Sequence, residues 1–232
     1  MILTKSRKLS ADPRIIFIRG GELVKLLVIG IPASVTNLTQ SFAIAVTNRY
    51  LLSFGTAAIA SMGIVMKVNM IAVLILIGFA FGAQPLIGYN YGAENYRRLK
   101  EVLRFAFLFE ESMAFLLSCV LSFLAPLLLQ LFVSDTEMIT AGTEMLRLQL
   151  AGMVFAAAVL VMTSTFQSCG KAFGAFLLSV SRQGILLAVI LAAASRAAGY
   201  YGILASQAIS DLLTAILATV LFFSGLGREM KK

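Results

Sequence analysis

Six apolar stretches, near residues 24–52, 58–88, 99–125, 140–168, 173–195 and 201–224, decide what this chain can fold into. Each can cross a hydrocarbon core of about 30 Å at about 1.5 Å of helix per residue. Inside a bilayer no water pairs with backbone polar groups, so each stretch must satisfy its own N–H and C=O groups as a helix. Hydrophobic residues make up 59% of the 232 and charged residues only 13%. Mean hydropathy is +0.93. That leaves too little polar surface to solvate a water-soluble domain of this length. The expected fold is all-α, a polytopic membrane protein with six transmembrane helices. The expected organisation is a basic, interfacial segment over 1–23, the helical lobe over 24–226 and a short tail over 227–232.

Net charge is +8, a value that in a soluble protein would raise nucleic acid as a partner. Here the basic residues form no stripe along one face. They cluster between apolar runs, as in the loops of a multi-pass protein. Most of the 19 lie in or beside alternate connections: the segment through Lys25, then Arg97, Arg98, Lys100 and Arg104, then Lys171 and, just inside the next span, Arg182, and finally Arg228, Lys231 and Lys232. The intervening side carries the acidic turn Ser134-Asp135-Thr136-Glu137. The expectation is a cell-membrane protein with both termini cytoplasmic, in contact with the lipid bilayer and with no nucleic-acid partner.

Histidine is absent, which removes the commonest metal ligand and general base. No zinc-protease, serine-hydrolase or phosphate-loop pattern occurs, so an enzymatic reading has no residue set to rest on. Cys119 and Cys169 are far apart and form no CxxC pair; both read as buried packing residues. No metal site and no resident cofactor are expected.

Polar groups within the spans are costly in lipid and face a cavity or a partner. Asp211, near mid-depth of the sixth span, is the strongest candidate for a buried, paired acid. Glu110 and Glu111 lie inside the third span; adjacent on a helix, they point about 100° apart and cannot both face one narrow site. Asn37 and Gln40 in the first span, Lys67 and Asn69 in the second and Gln183 in the fifth would suit a wet central cavity. Met62, Met66 and Met70 recur every four residues, an adaptable face that fits apolar ligands or ordinary helix packing equally well. Gly78 and Gly82 form a GxxxG that could admit a neighbouring helix.

The segment Gly82-Ala83-Gln84-Pro85-Leu86-Ile87-Gly88-Tyr89-Asn90-Tyr91-Gly92-Ala93 resembles the cytoplasmic signature of the multidrug and toxic compound extrusion (MATE) family. Its marker residues are Gln84, Pro85, Gly88, Tyr89, Asn90 and Gly92. Gly30-Ile31-Pro32, Ala60-Ser61-Met62-Gly63-Ile64, Phe166-Gln167-Ser168-Cys169-Gly170-Lys171, Ser181-Arg182-Gln183-Gly184 and Ile209-Ser210-Asp211-Leu212-Leu213 are similar to segments of that family's carboxy-terminal lobe, in the same order. The resemblance implies a transporter of two six-helix lobes around a central cavity, exporting amphipathic cationic small molecules by antiport against Na⁺ or H⁺. This chain would be the second lobe, partnered by the amino-terminal six-helix lobe or by a second copy of itself. Two positions depart from sodium-coupled members: Gln40 stands where they carry a glutamate, and Ala156 near where they carry an aspartate. The coupling ion is then expected to bind mainly in the other lobe. A lipid-linked oligosaccharide flippase of related fold, or a non-transporting half-lobe acting as an interaction partner, are the alternative readings.

Overall fold

The computed structural model describes the backbone of residues 20–230, and side chains from residue 34 onward except 36 and 37. Residues 1–19 of the basic segment expected over 1–23, and the side chain of Asn37, lie outside the described residues. Among those described, the chain is helical apart from short connections, without a strand. Helix α1 spans Gly20–Leu51 and leads through a short 3₁₀ turn, Leu52–Phe54, into α2, Thr56–Gly92. Helix α3 is Tyr96–Gln130. Then come α4, Thr136–Ala151, and α5, Met153–Ser168. Helix α6, Ala172–Val180, runs through a π-helical stretch, Ser181–Ile185, into α7, Leu186–Ser224. A last turn, α8, covers Leu226–Glu229.

These elements make the six expected spans, two of them built in an unexpected way. The fourth is a broken rod, α4 and α5 meeting at 43° across Gly152. A Cβ on Gly152 would lie 2.8 Å from the Ala208 backbone, so the bend presses directly onto α7. The Ser118 hydroxyl donates to the Leu150 carbonyl just before the bend, supplying a donor where the helical ladder is interrupted. The fifth and sixth spans join with no loop at all. Gly199 has φ 53° and ψ −123°, a conformation open only to glycine, and there α7 folds back on itself. Gly202 consequently abuts the Ala194 carbonyl; in a straight helix these two would be about 12 Å apart.

Helix starts follow their capping residues. Asp135 Oδ1 accepts from the backbone N–H groups of Glu137 and Met138 at the start of α4, and Asn95 caps α3 through Arg98 N–H. Pro85 and Pro126 are carried inside α2 and α3 respectively. α2 packs on α3, α4 and α5, and α5 on α7. One apolar core joins Leu51, Met62, Val65, Leu129, Leu146 and Leu191; a second, at the other end of the bundle, joins Ile87, Leu99, Phe166, Leu178 and Leu226. The remaining apolar side chains point outward: Phe115, Phe123, Val189 and Val220 stand exposed. That outer layer is what lipid solvates. Cys169 is buried as expected, but Cys119 is exposed, because its face of α3 turns away from the core.

Candidate functional site

The π-helical stretch is where the fifth span stops being an ordinary helix. A π turn holds one extra residue per turn and displaces a carbonyl from its usual partner. Here the Ser210 hydroxyl donates to the Arg182 carbonyl at 2.6 Å. Gly184 makes the approach of α1 possible, since a Cβ there would be 2.9 Å from the Thr39 methyl. The stretch turns Arg182 and Gln183 together toward a cleft of about 250 Å³ lined from α1, α2, α4, α5 and α7.

Arg182 and Asp211 form a two-pronged ion pair at the base of this cleft. Nε to Oδ1 is 2.6 Å and Nη2 to Oδ2 is 3.4 Å. Gln207, one turn before Asp211, donates its amide to the same Oδ1 at 3.0 Å. Asp211 is only 3% exposed. Its charge is therefore matched by one guanidinium and one amide within the cleft wall, an arrangement with geometric specificity beyond a point charge. Across from it, Asn69 donates to the Gln149 side-chain oxygen at 3.4 Å, and Gln149 donates to the Met62 sulfur at 3.1 Å.

Of the cavity residues expected from sequence, Gln40, Met66, Asn69 and Gln183 all line this cleft, and Asp211 joins them. Lys67 does not; its side chain is exposed on another face of α2. Arg182, read from sequence as lying just inside the fifth span, is the cation of the buried pair. Gln149 and Gln207 were not singled out from sequence. A signal existed for Gln207, four residues before the acid and so on its helix face. Gln40 and Ala156, the two positions that depart from a carboxylate site, both line the cleft. Among its described lining residues the cleft thus holds a single acid, and that acid is paired.

Glu110 lies elsewhere, in a separate pocket between α2, α3 and α5, while Glu111 is half-buried beside it and outside that pocket. The signature segment forms a knot at one end of the bundle. Gln84 donates to the Gln167 side chain at 3.2 Å, and the Asn90 amide donates to the Leu86 carbonyl at 2.7 Å. Gly88 lets the Ser168 carbonyl come within 3.2 Å of where a Cβ would stand. Pro85 sits inside α2, Tyr89 is exposed and Gly92 ends the helix. Tyr91 donates to Glu229 at 3.0 Å, and Lys171 pairs with the same carboxylate at 2.6 Å. Burial pushes the nearby Cys169 thiol up to about 11, with Lys171 pulling it down and Glu229 adding to the rise. Among the described residues no group of His, Cys, Asp and Glu side chains could hold a metal ion.

The family model described as MatE matches residues 32–193, most of the chain and every element of the cleft up to the π stretch. The chain belongs to the MatE family. Among curated relatives, the multidrug export protein MepA of Staphylococcus aureus is 27% identical over 202 residues, covering 87% of this chain and 44% of the relative. MepA of Staphylococcus haemolyticus is 26% identical over 196 residues, covering 84% and 43%. The chain spans less than half the length of these relatives. A structure described as the outward-facing conformation of a multidrug resistance MATE family transporter superposes with a TM-score of 0.88 at 17% identity, over 100% of this chain and 53% of that one. A Pyrococcus furiosus transporter of the MOP superfamily, described as having a binding pocket of reverse polarity, gives 0.83 at 18% identity, over 97% and 51%. The fold is therefore one six-helix lobe of the MATE type, in a multi-pass membrane protein.

Proposed function

We propose that this chain is the carboxy-terminal lobe of a multidrug efflux transporter of the cell membrane, working by cation-coupled antiport with both termini in the cytoplasm. The cleft is one wall of the path taken by amphipathic cationic small molecules. The coupling ion, Na⁺ or H⁺, binds mainly in the amino-terminal lobe. The observation that carries the reading is the Arg182–Asp211 pair: the one acid among the cleft's described lining residues is bonded to a guanidinium and an amide rather than offered to an ion. Gln40, Asn69 and Gln183 add uncharged polar atoms, and Met66 and Met70 add polarisable surface, a lining that orients a ligand without fixing its shape. The flippase reading has less support, because the cleft offers a pyrophosphate no unpaired cation among its described lining residues.

The test is ethidium efflux from cells lacking their own pumps, expressing this chain alone and together with a six-helix amino-terminal lobe. Efflux that needs both lobes and collapses with the ion gradient is expected. Both lobes reaching the membrane with no dye efflux, alongside transport of lipid-linked sugars, would reverse the assignment.

A further inference from the structure

A groove of about 290 Å³ runs between α3, α5 and α7. Its walls are apolar: Leu103, Phe107 and Leu108 from α3, Val161 and Met162 from α5, and Phe222 from α7. Leu103, Met162 and Phe222 pack against the second apolar core, which places the groove at the end of the bundle that carries the signature knot. Leu108 is exposed, so the groove opens on the surface of the lobe. It shares no lining residue with the polar cleft, and α3 lends that cleft none. Thr165 brings the groove no free donor, because its hydroxyl proton goes to the Val161 carbonyl at 2.7 Å.

The exception to this apolar lining is Arg104, the one charged residue among the described lining residues. Neighbouring Glu101 is held by Arg98 at 2.8 Å and by Arg97 at 3.8 Å. Arg104 itself forms no ion pair among the described residues. It stands eight residues into α3, about 12 Å along the helix from Tyr96. Cβ bonds tilt toward a helix's N-terminus and long basic side chains extend to water, so its guanidinium reaches back toward the basic end. Lys100, exposed one turn nearer that end, lies on the same face of α3. An unpaired cation therefore stands at the rim of an apolar groove in the lipid-solvated surface.

We propose that this groove binds one anionic glycerophospholipid of the surrounding bilayer, an acyl chain lying along Phe107 and Met162 and the headgroup phosphate resting on Arg104 and Lys100. A guanidinium meets phosphate through two parallel hydrogen bonds, and basic side chains near the surface favour lipids of net negative charge. A zwitterionic lipid brings its own ammonium to the same place and loses most of that attraction. An amphipathic cation would fit the walls but meet Arg104 as a like charge. Inorganic phosphate would gain nothing from the walls. A partner helix, about 10 Å across with its side chains, is too wide to enter. The proposal does not depend on the transport reading, since it concerns how this lobe sits in its bilayer.

The chain has no tryptophan, so Phe107→Trp places a single indole in the groove. The full chain carrying that reporter is reconstituted in vesicles of equal parts phosphatidylglycerol and phosphatidylcholine, with brominated acyl chains on one lipid or on the other. Bromine quenches an indole only at close range, so the two preparations read which lipid occupies the groove. The expected result is stronger quenching by brominated phosphatidylglycerol, equivalent to about a fivefold preference. Arg104→Gln removes most of that preference, whereas Arg98→Gln, at the same end but outside the groove, keeps it. Phe115→Trp, exposed about 12 Å further along α3 and outside the groove, is quenched equally by both lipids. Equal quenching in Phe107→Trp, a preference unchanged by Arg104→Gln, or the same preference at Phe115→Trp overturns the proposal and leaves only unselective lipid contact. If Arg104→Gln fails to fold, a preference unchanged in about 1 M salt overturns it just as well, because such salt screens exposed charges.

Discussion

Asp211 and Glu110 are both carboxyl groups buried within membrane helices, and the lobe treats them in opposite ways. Asp211 is surrounded by donors: the Arg182 fork, the Gln207 amide and a π turn that aims the guanidinium. Glu110 is 1% exposed and has an oxygen with no partner among the described residues. The difference teaches that burial alone does not mark a site. An acid whose charge is already matched contributes shape and rigidity, whereas an unmatched one carries the cost of its burial without a partner.

The glycines repeat the contrast. Beside the cleft, Gly184 lets two helices touch; beside the pocket between α2, α3 and α5, Gly82 touches nothing.

The largest effect is expected from removing half of the matched pair. Arg182→Ala leaves Asp211 buried without its counter-charge and should cost about 3–5 kcal/mol of stability, read as a fall in the thermal midpoint in micelles. Glu110→Gln breaks no pair and removes an unmatched buried carboxyl charge, so it should not lower the midpoint. If the two variants unfold alike, the contrast between the acids is lost.

Next comes the pair of glycines. Gly184→Ala drives a methyl into Thr39 and should destabilise by about 1–3 kcal/mol. Gly82→Ala adds a methyl in open space on a helix and should stabilise by about 0.5–1 kcal/mol. The same midpoint measurement sharpens or erases the distinction, since equal losses at both sites would mean that the pocket wall is closed.

The smallest effect lies outside both regions, at the end of the bundle where Cys169 is buried. Its thiol is raised from 9 to about 11, chiefly by burial. A raised value means that the folded state favours the neutral thiol. That contribution is complete below pH 9 and is lost as pH rises from 9 toward 11. Alkylation by N-ethylmaleimide at pH 8 should therefore spare Cys169 in the folded lobe and modify it in the denatured chain. Equal labelling of Cys169 in both states would contradict the packing of this end.

Much of this was legible in the residues. Apolar run lengths gave the six spans, and the signature from Gly82 to Ala93 pointed to the family before any coordinates. Gln40, Met66, Asn69, Gln183 and Asp211 meet in one cleft because amide, thioether and acid groups within apolar helices have few other places to go. The pairing of Arg182 was not legible, because charge counting cannot tell a basic residue near a span's start from one drawn inward by an acid 29 residues later. Lys67 was misplaced because a residue's depth does not fix its helix face. The break at Gly199 was hidden because two apolar spans joined by a single backward-turning glycine read as two helices with a short loop. The bend at Gly152 was hidden similarly, its glycine being one of two, with Gly142, in an otherwise continuous run.

The central claim is that the Arg182–Asp211 pair is part of the cleft's framework and not the seat of ion coupling. The most direct test replaces both partners at once, Arg182→Met with Asp211→Leu, in the two-lobe transporter, and measures how ethidium efflux depends on the Na⁺ and proton gradients. Exchanging a buried pair for apolar residues of similar volume is close to neutral for folding. The account predicts that efflux keeps the same ion dependence as the parent. A double variant that reaches the membrane in normal amount but no longer responds to either gradient would contradict it.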